Sequence, residues 1–306
     1  MIDTWIEKYW NYMILEDFDN AIPLRNMNFP QSFFKYRKLN DRTLDIIREN
    51  YIWLAEITTL NDPFECSIQF DNDKCLREYY SSSTFKTNFK ELTGHDLSDK
   101  EIKSLIRSDK PFERYIELCK IKNIPFGMTA DQQIEKIQKR WNEIVEETNR
   151  KLRICSFSLI KDSLLLWSHY SDEHKGICLE YDFREVDIVS TFIQPVIYRD
   201  KVFKIGLFEE YSTMRMIGSS LIKSKDWSYE HEWRVTIFRQ KDYFPQKIAV
   251  PFPKAIYLGT RFHLNERKLQ NELMQLANDR KIPIYYMEKH SNEYRLIEKK
   301  TQPLIE

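Results

Sequence analysis

The stretch "DWSYEHEWRVTIF" occupies residues 226–238. In its second half Trp233, Val235 and Ile237 alternate with Glu232, Arg234 and Thr236. A period of two predicts a strand over 232–238 with two unlike faces. Extended alternation back through Glu230 puts Glu230 and Glu232 on one face, and His231 with Trp233 on the other. Arg234, Thr236 and Phe238 continue the carboxylate face. Two readings stay open. Glu232 and Arg234 pair across an ordinary strand, or the carboxylates serve a sugar and an acceptor.

Other strands gather around this one. SFFKYR (32–37), YIWLAEI (51–57), RICSFS (153–158), GICLEYDF (176–183), PVIYR (195–199), KIAV (247–250), AIYLG (255–259) and IPIYYME (282–288) are all short and rich in β-branched or aromatic residues. Helical spacing appears at 1–17, through Trp5, Ile6, Tyr9, Trp10 and Met13, with Pro23 and Pro30 as breaks after it. Asn40 or Asp41 caps a helix to about Glu49. The turn TTLNDPFE (58–65) precedes a helical stretch at about 72–150. Ser98 with Glu101, and Thr129 with Gln132, form capping-box patterns there. Ile134, Ile137, Trp141, Ile144 and Val145 share one helical face. Helices are also expected at 162–170, 203–223 and 264–280. The expected fold is one α+β domain over 1–306, with a split mixed or antiparallel sheet and a helical insertion at about 72–150.

Composition narrows the function classes. The 306 residues carry 47 basic and 47 acidic side chains, so there is no global basic field for nucleic acid. No run of about 18 apolar residues is present, and the N-terminus lacks the blocks of a signal peptide. Cys66, Cys75, Cys119, Cys155 and Cys178 are an odd, scattered set. They read as reduced thiols in a cytoplasmic protein, without CxxC spacing, and no metal site is expected. There is no P-loop, GxGxxG, GxSxG or HExxH pattern.

What remains is a set of weak local signals. Lys35 and Arg37 share a strand face, as a surface ion pair or as an anion clamp, since guanidinium grips phosphate with a planar fork. Ser156 and Ser158 share a face on their strand. Ser168 and His169 are adjacent on a helix and point apart, so they are not a nucleophile–base pair. Trp167 and Tyr170 lie three apart on that helix, as core or as a wall for a nicotinamide or adenine ring. His169 has the chemistry to bond a ribose hydroxyl.

Arranged in order, an Arg on an early strand, a Ser-x-Ser strand and a Glu-x-Glu strand mouth resemble the Arg–Ser–Glu class of ADP-ribosyltransferases. The separations are 119 residues from Arg37 to Ser156 and 76 from Ser156 to Glu232. The chain also looks like a bacterial family of uncharacterised proteins, some of them near phage-defence or abortive-infection genes. The matching residues are FKYR (34–37), NDPFE (61–65), SFS (156–158), LWSHYSDEHKGICLEYDF (166–183), WSYEHEWR (227–234) and AIYLG (255–259). The resemblance implies that Arg37, with Tyr36 beside it, holds the pyrophosphate of NAD. Ser156 braces the site and Ser158 sits next to it. Glu232 is then the catalytic carboxylate, and Glu230 addresses the acceptor. Phe157 departs from the small polar residue common in that class.

The leading expectation is therefore an NAD-consuming effector. It would cleave the nicotinamide–ribose bond and pass ADP-ribose to an unknown acceptor: a protein, a nucleic acid, or water. An alternative is a non-catalytic nucleotide- or partner-binding sensor in a defence system. A third reading has Glu230 and Glu232 hold a metal, with Glu180 or Asp182 as the further carboxylate.

Overall fold

The computed structural model describes residues 4–125, 139, 142–143, 145–147, 149–205, 217–238 and 246–300. Its centre is a mixed nine-stranded sheet. Along the main path the strands run Leu296–Lys300, Ile284–Lys289, Ala255–Leu258, Ile177–Tyr181, Phe33–Arg37, Leu152–Ser158, Glu232–Phe238 and Ile193–Pro195. The short strand Ala55–Glu56 also pairs with Leu152–Ser158. Ala255–Leu258 and Ile284–Lys289 run parallel, and the other neighbours are antiparallel. The fold is α+β, as the strand and helix spacing predicts.

One discontinuity interrupts this sheet. Phe33–Arg37 pairs with Ile177–Tyr181 along its whole length, but with Leu152–Ser158 only at Phe34 and Ser158. Beyond that point the two strands part. Ala55–Glu56 takes up the vacated ladder lower down, opposite Ile154 and Arg153. In the gap the Lys35 ammonium donates to the Ser156 carbonyl at 2.6 Å, a side chain standing in for a lost backbone donor.

The alternation at 232–238 holds. Trp233, Val235 and Ile237 join Phe33, Phe157, Leu179 and Tyr181 in the largest core cluster, on one face of the sheet. Glu232, Arg234 and Thr236 lie on the other face and are equally buried. Polar groups so deep must find partners within the protein. The helices Asp41–Glu49 and Arg267–Asp279 pack against each other beside the first face.

Several sequence expectations are corrected. YIWLAEI is two strands, not one. Tyr51–Trp53 pairs with Lys247–Ala249, and Ala55–Glu56 turns into the main sheet. PVIYR divides likewise, with Ile193–Pro195 in the main sheet and Ile197–Arg199 on Ile222–Ser224. The helix expected over 203–223 is corrected at its ends, because Phe203–Ile205 and Ile222–Ser224 are strands that pair in parallel with Ile68–Phe70 and Ile197–Arg199; 217–219 are helical, and 206–216 lie outside the described residues. The N-terminal helix ends at Ile14, and a second helix, Phe18–Met27, contains Pro23 rather than stopping at it. The cap accounts for that helix, since Asp17 accepts from the Asn20 amide.

The helical stretch begins at Asn72 as expected. It comprises Asn72–Ser81, Ser83–Thr93, Asp99–Arg107 and Pro111–Ile121 around a cluster of its own, with Tyr80, Phe85, Phe89 and Leu105 at its centre. Ser98 and Glu101 make the full capping box. The Thr129–Gln132 cap, and the helix face at 134–145 apart from Val145, lie outside the described residues. All five cysteines are buried, and none forms a disulfide. No helix among the described residues is long and apolar enough to cross a membrane.

Candidate functional site

A cavity of about 760 Å³ opens where Phe33–Arg37 and Leu152–Ser158 part. Arg37, Tyr36, Ser156, Ser158, His169, Tyr170, Glu230 and Glu232 all line it. Residues as distant in the chain as 36 and 232 thus meet at one surface. The volume lies toward the upper end of ligand pockets, which run to about 1,000 Å³. The lining carries six Lys or Arg side chains and four Glu, a net positive wall suited to an anionic ligand.

Its acidic pole is an ion-pair network. Arg234 donates from Nε to Glu232 Oε1 at 2.7 Å and from a terminal nitrogen to Oε2 at 3.0 Å. Its other terminal nitrogen reaches Glu65 Oε1 and the Ser220 carbonyl. Lys223 Nζ lies 2.6 Å from Glu230 Oε2, 3.1 Å from Glu232 Oε2 and 4.0 Å from Glu65. Tyr170 donates to Glu230 Oε1 at 2.7 Å and accepts from Asn61 at 3.2 Å. These charges are under 10% exposed, so each depends on the others for solvation.

The two carboxylates differ in consequence. Burial would raise the pKa of Glu232. The charges of Arg234 and Lys223, with hydrogen bonds from Arg234 and Ser156, outweigh burial and hold it far below the usual carboxylate range. Glu230 has one cation and a phenol instead. Burial, reinforced by the Glu232 charge, exceeds the pull of Lys223 and raises its pKa. Lys223 stays firmly protonated, because its three carboxylates outweigh the burial penalty and the repulsion of Arg234.

The carboxylates converge by a different route from the one alternation predicts. The strand starts at Glu232, Glu230 ends a 3₁₀ turn over Lys225–Glu230, and His231 between them is left-handed at φ 45°. Ser158 fixes this corner, donating to the Glu230 carbonyl at 2.6 Å. So Ser158 braces backbone, while Ser156 lies beside Glu232.

The cationic pole is built differently. Arg37 has no side-chain partner among the described residues, and its Nε is buried without one. Its backbone is tightly held. Ser171 Oγ lies 3.3 Å from the Arg37 carbonyl, and a Cβ on Gly176 would come within 2.1 Å of the same oxygen. The turn leading into Gly176 puts Asp172, Glu173 and His174 in succession at positive φ, a conformation that costs about 1–2 kcal/mol for each such residue. Lys35 lies alongside. Burial lowers its pKa, and Arg37's charge adds to that.

One expected ligand contact is corrected, and two lining residues have their hydroxyls engaged. Trp167 is fully buried and does not reach the cavity. Its indole donates to the Lys161 carbonyl at 2.8 Å, and the Tyr36 ring packs against it edge-on. Tyr36 gives its hydroxyl to the Ile160 carbonyl at 2.8 Å, so it has no donor left for a ligand. Tyr170 lines the cavity and gives its hydroxyl to Glu230. His169 lies at the rim, 3.2 Å from the Tyr229 hydroxyl. Glu180, the proposed third carboxylate, is bound to Ser32 and Tyr257 and is not in the cavity wall. Asp182 pairs with Arg184. The carboxylate that does approach Glu230 and Glu232 is Glu65 of NDPFE, and the cation between the three is Lys223. The sequence alone does not mark Glu65, Lys223 or Trp53 for the site.

Residues 166–235 match a family model described as "Protein of unknown function (DUF2971)". The match supports an uncharacterised domain family. It takes in Tyr170, Lys223, Glu230, Glu232 and Arg234, most of the acidic pole, and leaves Arg37 outside. No curated protein and no solved structure matches the chain.

Proposed function

We propose that the cavity binds NAD and that the protein is an ADP-ribosyltransferase-like enzyme, with the parted sheet as the split sheet of that fold. One observation carries this reading: Arg37, Ser156, Glu230 and Glu232 line a single net-positive cavity. Arg37, with its Nε buried and without a partner among the described residues, takes the diphosphate. Glu232, ionised at any physiological pH, faces the ribose as the nicotinamide bond breaks and positive charge develops on the sugar. A fixed carboxylate stabilises that charge more in the transition state than in the ground state. Arg234 and Lys223 hold it in place, so little reorganisation accompanies reaction. Glu230, with its raised pKa, is suited to take a proton from the acceptor. Service as an effector in bacterial phage defence follows from the resemblance of the motifs.

The test is nicotinamide release from NAD by wild type, Glu232→Gln and Arg37→Ala, with folding checked by circular dichroism. Glu232→Gln is expected to lose a hundredfold or more, about 3–4 kcal/mol of transition-state stabilisation. Equal turnover in wild type and Glu232→Gln would remove the catalytic assignment. A second reading, a nucleotide-binding sensor, is favoured by the ion pairs that already engage both carboxylates. It predicts saturable NAD binding without nicotinamide release.

A further inference from the structure

The cavity has an aromatic end that neither the motifs nor the family match accounts for. Trp53 lines it, half-buried, and the Arg42 guanidinium stacks over its ring at 4.5 Å. Arg42 is exposed, whereas Trp53 ends a strand held by Lys247–Ala249, so the ring is held by the sheet and its cover lies at the surface. Asn40 and Gln246 also belong to the lining, and the Asn40 side-chain oxygen caps the helix Asp41–Glu49 by accepting from the Thr43 amide. A rigid indole, a planar cation and amides are the groups that recognise a nucleobase, through stacking on its face and hydrogen bonds to its edge.

The register places this end away from the carboxylates. Ser158 lies opposite Glu232, whereas Ile154 lies opposite Ala55, two residues after Trp53. Four residues of strand separate those points, roughly 13 Å at ~3.3 Å per residue. Arg37 lines the cavity from the strand that parts from Leu152–Ser158. The three features suit a ligand with a base at one end, phosphate in the middle and a sugar at the other.

We infer that the Trp53–Arg42 stack is the seat for the nucleobase of the ligand's distal nucleotide. The inference rests on the nucleotide reading of the cavity, but it does not require catalysis. Its test uses AMP and ribose 5-phosphate, which differ by the base, titrated calorimetrically into the full chain. Wild type is expected to bind AMP more tightly. Trp53→Leu should weaken AMP about tenfold, in keeping with one aromatic–base stack, and leave ribose 5-phosphate within twofold. Trp53→Phe should recover most of the loss, which separates stacking from a folding defect. Arg37→Ala should weaken both ligands alike. Failure of wild type to bind AMP, an unchanged AMP affinity in Trp53→Leu, or an equal loss for both ligands would overturn the assignment. Base-dependent AMP binding by a protein that releases no nicotinamide would leave the inference standing and remove the enzyme reading.

Discussion

Arg37 and Arg234 line the same cavity and are treated in opposite ways. Arg234 is 1% exposed, and Glu65, Glu232 and the Ser220 carbonyl surround it. Arg37 has a buried nitrogen with no acceptor at all among the described residues. Arg234, fully partnered, fixes the positions of Glu232 and Glu65. Arg37 is held through its backbone yet keeps a buried donor without an acceptor among the described residues. The difference separates an arginine that orders the carboxylates from one whose hydrogen-bonding capacity is open.

The largest effect that would break this comparison is on stability. Arg234→Met strands Glu65 and Glu232 without their principal cation. It should cost about 3–5 kcal/mol in urea unfolding. Arg37→Ala should change the unfolding free energy by less than about 1 kcal/mol, because no side-chain hydrogen bond among the described residues is lost. Equal costs for the two would abolish the distinction.

Next in size is ligand affinity. Arg37→Ala should weaken AMP or NAD about tenfold to a hundredfold, as loss of hydrogen bonds to a charged group worth about 1.5–3 kcal/mol. Calorimetric titration reads this directly.

The two carboxylates offer a finer test through pH. Glu232 has a depressed pKa, so its stabilisation is complete above the ordinary carboxylate pKa and is lost as pH falls through its lower folded value. Glu230 has a raised pKa and the opposite sign. Its contribution is complete below the ordinary carboxylate pKa and is lost as pH rises through the folded one. Glu230→Gln should therefore cost less stability at pH 7.5 than Glu232→Gln, and unfolding midpoints of both at pH 4 and pH 7.5 check the ordering. The smallest expected effect is that of salt. Raising NaCl from 0.05 to 0.5 M, trial values that shorten the screening length severalfold, should weaken AMP binding and hardly move the unfolding midpoint of the buried network.

The comparison also shows which parts of the site could be read from the chain. Glu232 and Arg234 were legible because seven residues of alternation fix two faces, and a face with two charges invites pairing. Arg37 and Ser156 sit on strands of the same kind. Lys223 was not legible, since its strand has three residues and its partners come from Glu65 and the 230–232 corner. Glu230 reaches the site through a left-handed His231, a backbone choice that alternation does not encode. Helical spacing left Trp167 between core and ligand wall, and it packs in the core. Trp53, which no local pattern marks, reaches the cavity because its strand pairs with Lys247–Ala249 before the chain turns at Leu54 into the main sheet. Local period tells which residues share a face; long-range pairing decides what that face meets.

The most direct test is titration of NAD into wild type and Arg37→Ala, with urea midpoints measured on the same samples. The account predicts saturable single-site binding to wild type and a loss of at least tenfold in the variant at an unchanged midpoint. Absence of saturable binding to wild type, or equal affinity in the two proteins, would contradict it.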